Sequence, residues 1–385
     1  MEGLTLNAGV DHALGRATLN LNIPTFQNQR AFPAPDTIPP IQARHDRLSN
    51  YTQGYYAELV FKPWPKLMLV PGLRIEHFDF QKDHDFAAMP RFTARWQIFG
   101  DTTLKAAYGI YNKLPRPQYM IAGIGNPSLL PERSEQFVAG IEHTFTPLNN
   151  VDFQLYYNKR YRLVSPSSNA MFGNSKYDAQ IWSNEGTGRS YGLEILLRHL
   201  PSPDSIFYGW IAYTLSRSWR QDHAASSAYT LVDTDNGAQT VTPYGARATT
   251  EYLSPFDQTH ILTVIGQWIL PWGLQAGFRF RLVSGDPITP LNQARVYYDA
   301  DSDAYVVDPN SVKRNSSRLP TFDQLDVRID KTWTYDLWRL TAFLEVLNVY
   351  NATNVEAIQY DYRYQDRVDL SLLPVIPVLG VKGEF

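Results

Sequence analysis

The 385-residue sequence contains no cysteine. That excludes thiol nucleophiles, disulfide staples and cysteine-ligated metals, and it suits an oxidising compartment where stray thiols are a liability. Methionine is scarce, at 5 residues, and charged residues make up only 19% of the chain. With a net charge of −3 and a pI near 6.2, there is neither a basic surface for nucleic acid nor an acidic disordered tail, so nucleic acid is not an expected partner. Nor does any stretch reach the ~20 apolar residues that a spanning helix needs. The nearest, 261–270 and 372–381, are broken by Thr263 and Gln267 and by Pro374 and Pro377. The opening residues MEGLTLNAGVDHALGR lack a basic segment followed by an apolar core, so no signal peptide is expected within them.

What the chain has is aromatic residues, at 14%, with 24 tyrosines, and a period of two. In 134–145, Phe137, Ala139, Ile141 and Phe145 oppose Gln136, Gly140, Glu142 and Thr144. Leu274, Ala276, Phe278, Phe280 and Leu282 oppose Gln275, Gly277, Arg279 and Arg281, and Leu325, Val327, Ile329 and Trp333 oppose Asp326, Arg328, Asp330 and Thr332. Only Lys331 intrudes on the apolar side of that last segment. Fourteen such segments are expected, at 4–12, 51–61, 67–78, 90–99, 102–111, 134–145, 151–161, 189–199, 206–218, 259–270, 274–284, 323–333, 339–350 and 376–385. Short connections (63–66, 100–101, 146–150, 201–204, 271–273, 334–337) alternate with long ones (23–50, 112–133, 219–258, 285–322, 351–375), so short and long must lie on opposite rims.

A soluble all-β protein also alternates, but three details argue for a membrane barrel. The polar faces carry Arg74, Glu76, Arg91, Arg95, Glu142, Glu194, Arg198, Arg279, Arg281, Asp326, Arg328 and Asp330 in mid-strand, too many charges for a dry core but natural beside a wet lumen. Trp64, Trp96, Trp219, Trp268, Trp272, Trp333 and Trp338 fall near segment ends, as interfacial girdles do. Leu379, Val381, Gly383 and Phe385 alternate with Gly380, Lys382 and Glu384, so the sequence closes on a lipid-facing aromatic. The expected fold is all-β: one transmembrane antiparallel up-and-down β-barrel domain over residues 1–385, with apolar positions outward and Glu142, Glu194, Arg279, Arg281, Asp326, Arg328 and Glu345 inward.

Several segments carry a family likeness. Gly125-Asn126-Pro127-Ser128-Leu129-Leu130-Pro131-Glu132-Arg133-Ser134 is similar to an N-P-x-L-x-P-E-x-S passage from loop to strand, and Asn184-Glu185-Gly186-Thr187-Gly188 with Tyr191-Gly192-Leu193-Glu194 to an N-x-G-x-G-x-x-x-G-x-E strand. Phe256-Asp257-Gln258-Thr259-His260 resembles an F-D-Q-x-H strand entry, 283–290 an S-G-x-P-x-T-P exit, and 348–354 an N-x-[YF]-N-x-T-N passage in the penultimate strand. With the terminal Phe385, these resemble the C-terminal part of the barrel of TonB-dependent outer-membrane receptors. The resemblance implies an outer-membrane location in a Gram-negative bacterium and transport of a scarce nutrient such as an iron-siderophore. Its implied partners are membrane lipid and lipopolysaccharide, a TonB-type energy coupler, and a barrel-assembly machinery that reads Phe385 as a signal. Members have a signal peptide, a TonB box, a plug domain and a 22-stranded barrel. The segments here correspond to the last fourteen strands, with the plug and N-terminal strands expected on another chain, lost, or never needed by a smaller barrel. A self-standing fourteen-stranded passive channel and a non-transporting remnant are the competing readings.

Other motifs carry less. Gly188-Arg189-Ser190-Tyr191-Gly192 matches a nucleophile elbow but opens a strand with no helix after it, so no catalysis is expected. Gly186, Gly188 and Gly192 miss the dinucleotide spacing. Asp299, Asp301, Asp303 and Asp308 fail the calcium-loop template at Ala304 and Asn310 and read as a solvated loop; His77 and His84 have no partner at zinc spacing. No enzyme activity, cofactor or metal is expected. Arg74, Glu76, Glu142, Glu194, Arg279, Arg281, Asp326 and Arg328 are candidates for a substrate path, against the plainer reading that they pair along neighbouring strands. Tyr119, Tyr244, Tyr297, Tyr298 and Tyr305 in the loops suit a flat aromatic ligand without naming one.

Overall fold

A computed structural model describes residues 3–24, 41–80, 83–120, 126–166, 182–222, 229–233, 237–241, 251–299, 304–308 and 311–385. Fourteen long strands dominate it: β1 (Leu4–Pro24), β2 (Ile41–Trp64), β3 (Leu67–Phe80), β4 (Asp83–Phe99), β5 (Thr102–Lys113), β6 (Glu132–Thr146) and β7 (Asn149–Pro166). They continue with β8 (Trp182–His199), β9 (Phe207–Gln221), β10 (His260–Leu270), β11 (Leu274–Val283), β12 (Phe322–Thr334), β13 (Arg339–Leu347) and β14 (Ile376–Glu384). Each pairs antiparallel with its sequence neighbours in one continuous sheet, and the short strand Tyr252–Leu253 adds to β9 as the fifteenth member. Helix among the described residues is confined to three single turns, Pro117–Tyr119, Pro271–Gly273 and Leu291–Gln293.

Register turns the alternation of each strand into two faces of the whole sheet, because side chains of paired residues point the same way. One row runs Ile141, Phe153, Ile195, Tyr213, Leu262, Leu282 across six strands. Another joins Phe278, Val327 and Val346. The opposite face pairs Glu142 with Asp152, Gln154 with Glu194, Arg279 with Asp326 and Arg328 with Glu345. Apolar residues such as Phe137, Ile141, Ile329 and Leu344 stand exposed on their face. That is the inverse of a water-soluble fold and fits a wall whose outer solvent is hydrocarbon.

The sheet curls around its polar face. Ala17 and Leu19 of β1 and Leu48 of β2 point to that side, yet they pack with Met120 and Leu129 of the β5–β6 connection, Val164 of β7 and Trp182 of β8. Among the described residues no register joins β1 to β14, so the sheet has two free edges. The expected barrel is therefore seen as a curved all-β wall, without a closing seam.

Several strands run beyond the expected segments. β1 has 21 residues and β2 has 24, against the ~9–11 that cross a bilayer at a tilt. The ladder of β3 and β4 continues through Phe78 opposite Asp85 and Phe80 opposite Asp83, into the gap left between the expected segments 67–78 and 90–99. The reason is physical: past the membrane both faces meet water, so pairing persists while hydrophobic alternation does not. Three of the long connections carry small hairpins, among them Val296–Asp299 with Ala304–Val307 and Val355–Tyr360 with Arg367–Ser371.

Most of the tryptophans gather on the short-turn rim. Trp64, Trp96, Trp268, Trp272 and Trp333 are exposed there, whereas Trp219 lies near the long-connection end of β9. Lys331, the lone charge on an apolar row, sends its ammonium to the Trp272 carbonyl and lies beside the Trp333 ring, so its stem stays in the apolar face while its charge reaches the rim.

Candidate functional site

The polar face is laced by ion pairs that cross strands. Arg74 on β3 donates in fork geometry to Asp11 on β1, at 2.6 and 2.9 Å, and through Nε to Glu76 at 2.7 Å. This reach passes over β2 at Gly54, where a Cβ would overlap both the guanidinium and the Asp11 carboxylate. Glu142 takes Arg95 at 2.8 Å and lies 3.9 Å from Lys105, which also pairs with Asp152. Arg279 donates to Asp326 at 2.6 Å, and Arg328 donates to Asp330 at 2.7 Å and Glu345 at 3.4 Å while its guanidinium lies 3.8 Å from the Phe343 ring.

The sequence candidates thus form separate clusters along one face rather than a single pocket. Arg281 lies over the Phe322 ring at 5.3 Å. Glu194 is exposed, and no cation pairs with it among the described residues. Asp326 is buried and accepts from Arg279, from Gln324 at 2.6 Å and from the Asn348 backbone N–H at 3.0 Å. It fastens the β13–β14 connection to β12. Phe385, just past β14, stacks on Trp338 with ring centroids 5.9 Å apart.

The quoted motifs prove to be loop fasteners. Asn126 is buried, donates to the Trp182 carbonyl at 2.9 Å and accepts from Ser128 N–H. Asn184 exchanges two hydrogen bonds with the backbone of Leu130, at 2.7 and 3.0 Å. Asn354 does the same with Asp323, at 3.0 and 2.8 Å, and Tyr350 donates to the Asp323 carboxylate at 2.6 Å. Asparagine suits this work because its amide mimics a peptide unit and can answer both a N–H and a C=O. Ser190, the residue of the apparent nucleophile elbow, lies inside β8 opposite Asn158 and Ser218.

Two carboxylates that sequence reasoning did not single out hold the long-connection rim together. Asp257 is fully buried, bonds to Arg318 and to the Ser218 backbone N–H, and lies 3.5 Å from Arg217. Arg318 also donates to the carbonyls of Asp257 and Gly285, at 2.8 and 3.0 Å. Asp222, just beyond β9, accepts from Arg220 at 2.8 Å, Tyr252 at 2.6 Å and Arg314 at 2.9 Å. Burial alone would raise the Asp222 carboxyl, but the Tyr252 hydroxyl and the Arg220 charge outweigh it and hold it below its ordinary value. Tyr252 is pushed up to about 12 by burial and by its bond to Asp222. The F-D-Q-x-H motif contained Asp257; nothing in the sequence marked its arginine partner, 61 residues away.

In the loops, Tyr305 packs edge-on against Tyr298 and Tyr362, and Arg363 lies over Tyr362 at 5.0 Å, so the two small hairpins meet through aromatic rings. Tyr119 packs on Trp182; Tyr244 lies outside the described residues, as do Asp301 and Asp303 of the acidic loop. Asp308 lies 3.7 Å from Arg295. Among the described residues no group of His, Asp or Glu is arranged to hold a metal.

The chain matches the family described as TonB dependent receptor-like, beta-barrel, over residues 2–349. No curated protein sequence matches it. Similar solved structures include the ferripyoverdine receptor of the Pseudomonas aeruginosa outer membrane, with 13% identity, 99% of this chain and 46% of that chain covered, and a TM-score of 0.63. The FrpB iron transporter of Neisseria meningitidis gives 14% identity, 100% and 54% coverage and 0.63. The ferric-catecholate import receptor Fiu of Escherichia coli gives 11%, 99% and 52%, and 0.60. The chain spans about half the length of these structures. Its match along most of its length, on an all-β sheet whose order and facing fit such a wall, makes it a member of the TonB-dependent receptor β-barrel family, whose members are transporters and not enzymes.

Proposed function

We propose that the chain forms the C-terminal fourteen strands of a 22-stranded outer-membrane transporter wall, in a Gram-negative bacterium, and that its cargo is a ferric chelate. The observation that supports this most is the pair of free edges on a sheet otherwise ordered throughout, in a chain about half as long as the receptors it resembles. Further strands and a plug complete the wall, a TonB-type coupler supplies energy, and the long connections receive the cargo. Phe385 serves as the signal for the barrel-assembly machinery. The three solved relatives are a ferripyoverdine receptor, an iron transporter and a ferric-catecholate import receptor, which supports the choice of cargo.

The experiment is iron uptake by cells with and without the gene under iron limitation, alongside planar-bilayer conductance of the purified protein. Energy-dependent uptake of labelled ferric chelate with no steady conductance supports the proposal. A constant ohmic leak with no energy dependence would instead favour a passive channel, since a fourteen-stranded barrel without a plug leaves an open lumen.

A further inference from the structure

On the polar face, at the end nearer the long connections, one stretch of the wall carries arginine without acid. In register, a row across β5–β9 reads Tyr111, Ser134, Arg160, Gly188 and Arg220. The row beneath it, from β4 to β9, reads Arg91, Gly109, Gln136, Asn158, Ser190 and Ser218. Both share the face of Glu142, Asp152 and Glu194, because they stand an even number of residues from them along β6, β7 and β8. Neither row holds an aspartate or a glutamate.

Elsewhere on this face the arginines meet carboxylates, as Arg74, Arg95, Arg279 and Arg328 do. Arg160 forms no such pair among the described residues. One terminal nitrogen donates to the Ser218 hydroxyl at 2.8 Å and to the Trp219 carbonyl at 3.5 Å, while Nε is buried and has no acceptor. A guanidinium N–H left in that state is costly, and an anion answers it best. Arg220 repels Arg160, and Glu132 attracts it only from a distance, with Oε1 occupied by the Val164 N–H at 2.9 Å. Arg220 in turn shares the single carboxylate of Asp222 with Arg314. Below, Arg91 is exposed and lies 4.8 Å from the Tyr111 ring centre. The bare position between Arg160 and Arg220 keeps room beside the free donor, since a Cβ on Gly188 would stand 3.4 Å from Nε and 2.9 Å from the Trp219 carbonyl oxygen. Asn158 adds a buried Oδ1 that no donor reaches.

We propose that this field is a cargo subsite for a carboxylate, and hence that the cargo is an anionic ferric chelate with free carboxylate groups. The carboxylate accepts from Arg160 Nε in the gap over Gly188, Arg220 and Arg91 add positive potential on either side, and Asn158 Oδ1 takes a hydroxyl or amide donor of the same ligand. A neutral or cationic chelate brings Arg160 nothing. The inference rests on the transporter reading above and narrows its cargo.

The test is calorimetric titration of the protein purified from outer membranes with ferric citrate, with iron-free citrate and with ferrichrome, a neutral hydroxamate chelate. Uptake of the two labelled ferric chelates by cells runs in parallel. Ferric citrate should bind at least 10-fold more tightly than either of the others. Arg160→Gln should weaken its binding roughly 10- to 100-fold, the range of one charge-assisted hydrogen bond. Arg160→Lys should recover most of that loss, and Arg198→Gln, which removes a cation from the same face at the opposite rim, should bind as the wild type does. Equal affinity in Arg160→Gln, or equal binding of ferrichrome or of iron-free citrate, overturns the subsite. Energy-dependent uptake of ferrichrome without ferric citrate binding overturns the subsite and leaves the transporter reading standing. Binding of ferric citrate that depends on Arg160, without energy-dependent uptake of either chelate, upholds the subsite and removes the transporter reading.

Discussion

At the scale of the residue, the fixed points of this protein are buried carboxylates that tie connections to strands. Asp257 is the clearest, since its fully buried side chain is shared by Arg318, Arg217 and the Ser218 N–H. Removing one partner of such a pair leaves the other without compensation, typically at about 3–5 kcal/mol; Arg318 keeps some access to water, which puts Asp257→Ala at about 3. Amide hydrogen exchange should then quicken at Ile288, Ser317 and Arg318, in the short ladder that Arg318 anchors, while β1–β8 keep their protection. The Asp222–Tyr252 contact carries a pH signature. Tyr252 is raised from 10 to about 12, so its contribution is fully present below pH 10 and is lost as pH rises through about 12. Asp222, held below its ordinary 3.8, contributes above that value and loses its contribution as pH falls through the lowered one. The difference in phenolate absorbance between wild type and Tyr252→Phe should titrate near pH 12. A step near 10 would mean that the contact does not form in solution.

At the scale of the element, alternation could be read wherever one face meets lipid and the other water, which is why the cores of β6, β11 and β12 and the facing of Arg279 and Asp326 were legible. It could not be read in the outer halves of β1–β4, where water wets both faces and the backbone ladder alone sustains the strand. The candidate charges were legible as a face but not as a network: Arg74 and Asp11 lie 63 residues apart, and only register brings them together over Gly54. The short turns obey tighter rules. In Pro271–Gly273, Trp272 and Gly273 both have left-handed backbones, with φ of 62° and 71°. A Cβ on Gly273 would lie 2.5 Å from the Thr332 carbonyl oxygen. Gly273→Ala therefore adds the left-handed penalty of about 1–2 kcal/mol to a clash with backbone that has little room to move. The expected loss is about 2–3 kcal/mol, seen as a lower urea midpoint at unchanged slope. A neutral substitution would show that the turn is remodelled without consequence.

At the scale of the whole molecule, the two free edges dominate. Side chains beside them are the barest on the apolar face: Leu14 is 79% exposed and Leu379 80%, against 39% for Ile141 in mid-sheet, because each lacks a neighbour on one side. The backbone groups at those edges have no water to turn to inside a bilayer, and each unsatisfied group costs several kcal/mol there. Lipid cannot supply the missing bonds, so in the membrane β1 and β14 pair either with each other or with further strands. The absence of native cysteine makes the choice measurable. Cysteines placed at Leu4, Leu6 or Val10 together with Leu379 or Val381 report a seam between β1 and β14. Ala276→Cys with Ile329→Cys, register partners on β11 and β12, reports that cross-linking works. In outer membranes the second pair should form a disulfide and none of the first should, because a 22-stranded wall places eight strands between β1 and β14. Efficient cross-linking in any edge combination would mean that the sheet closes upon itself as a smaller barrel. The same result would remove the support that the free edges give to the transporter reading.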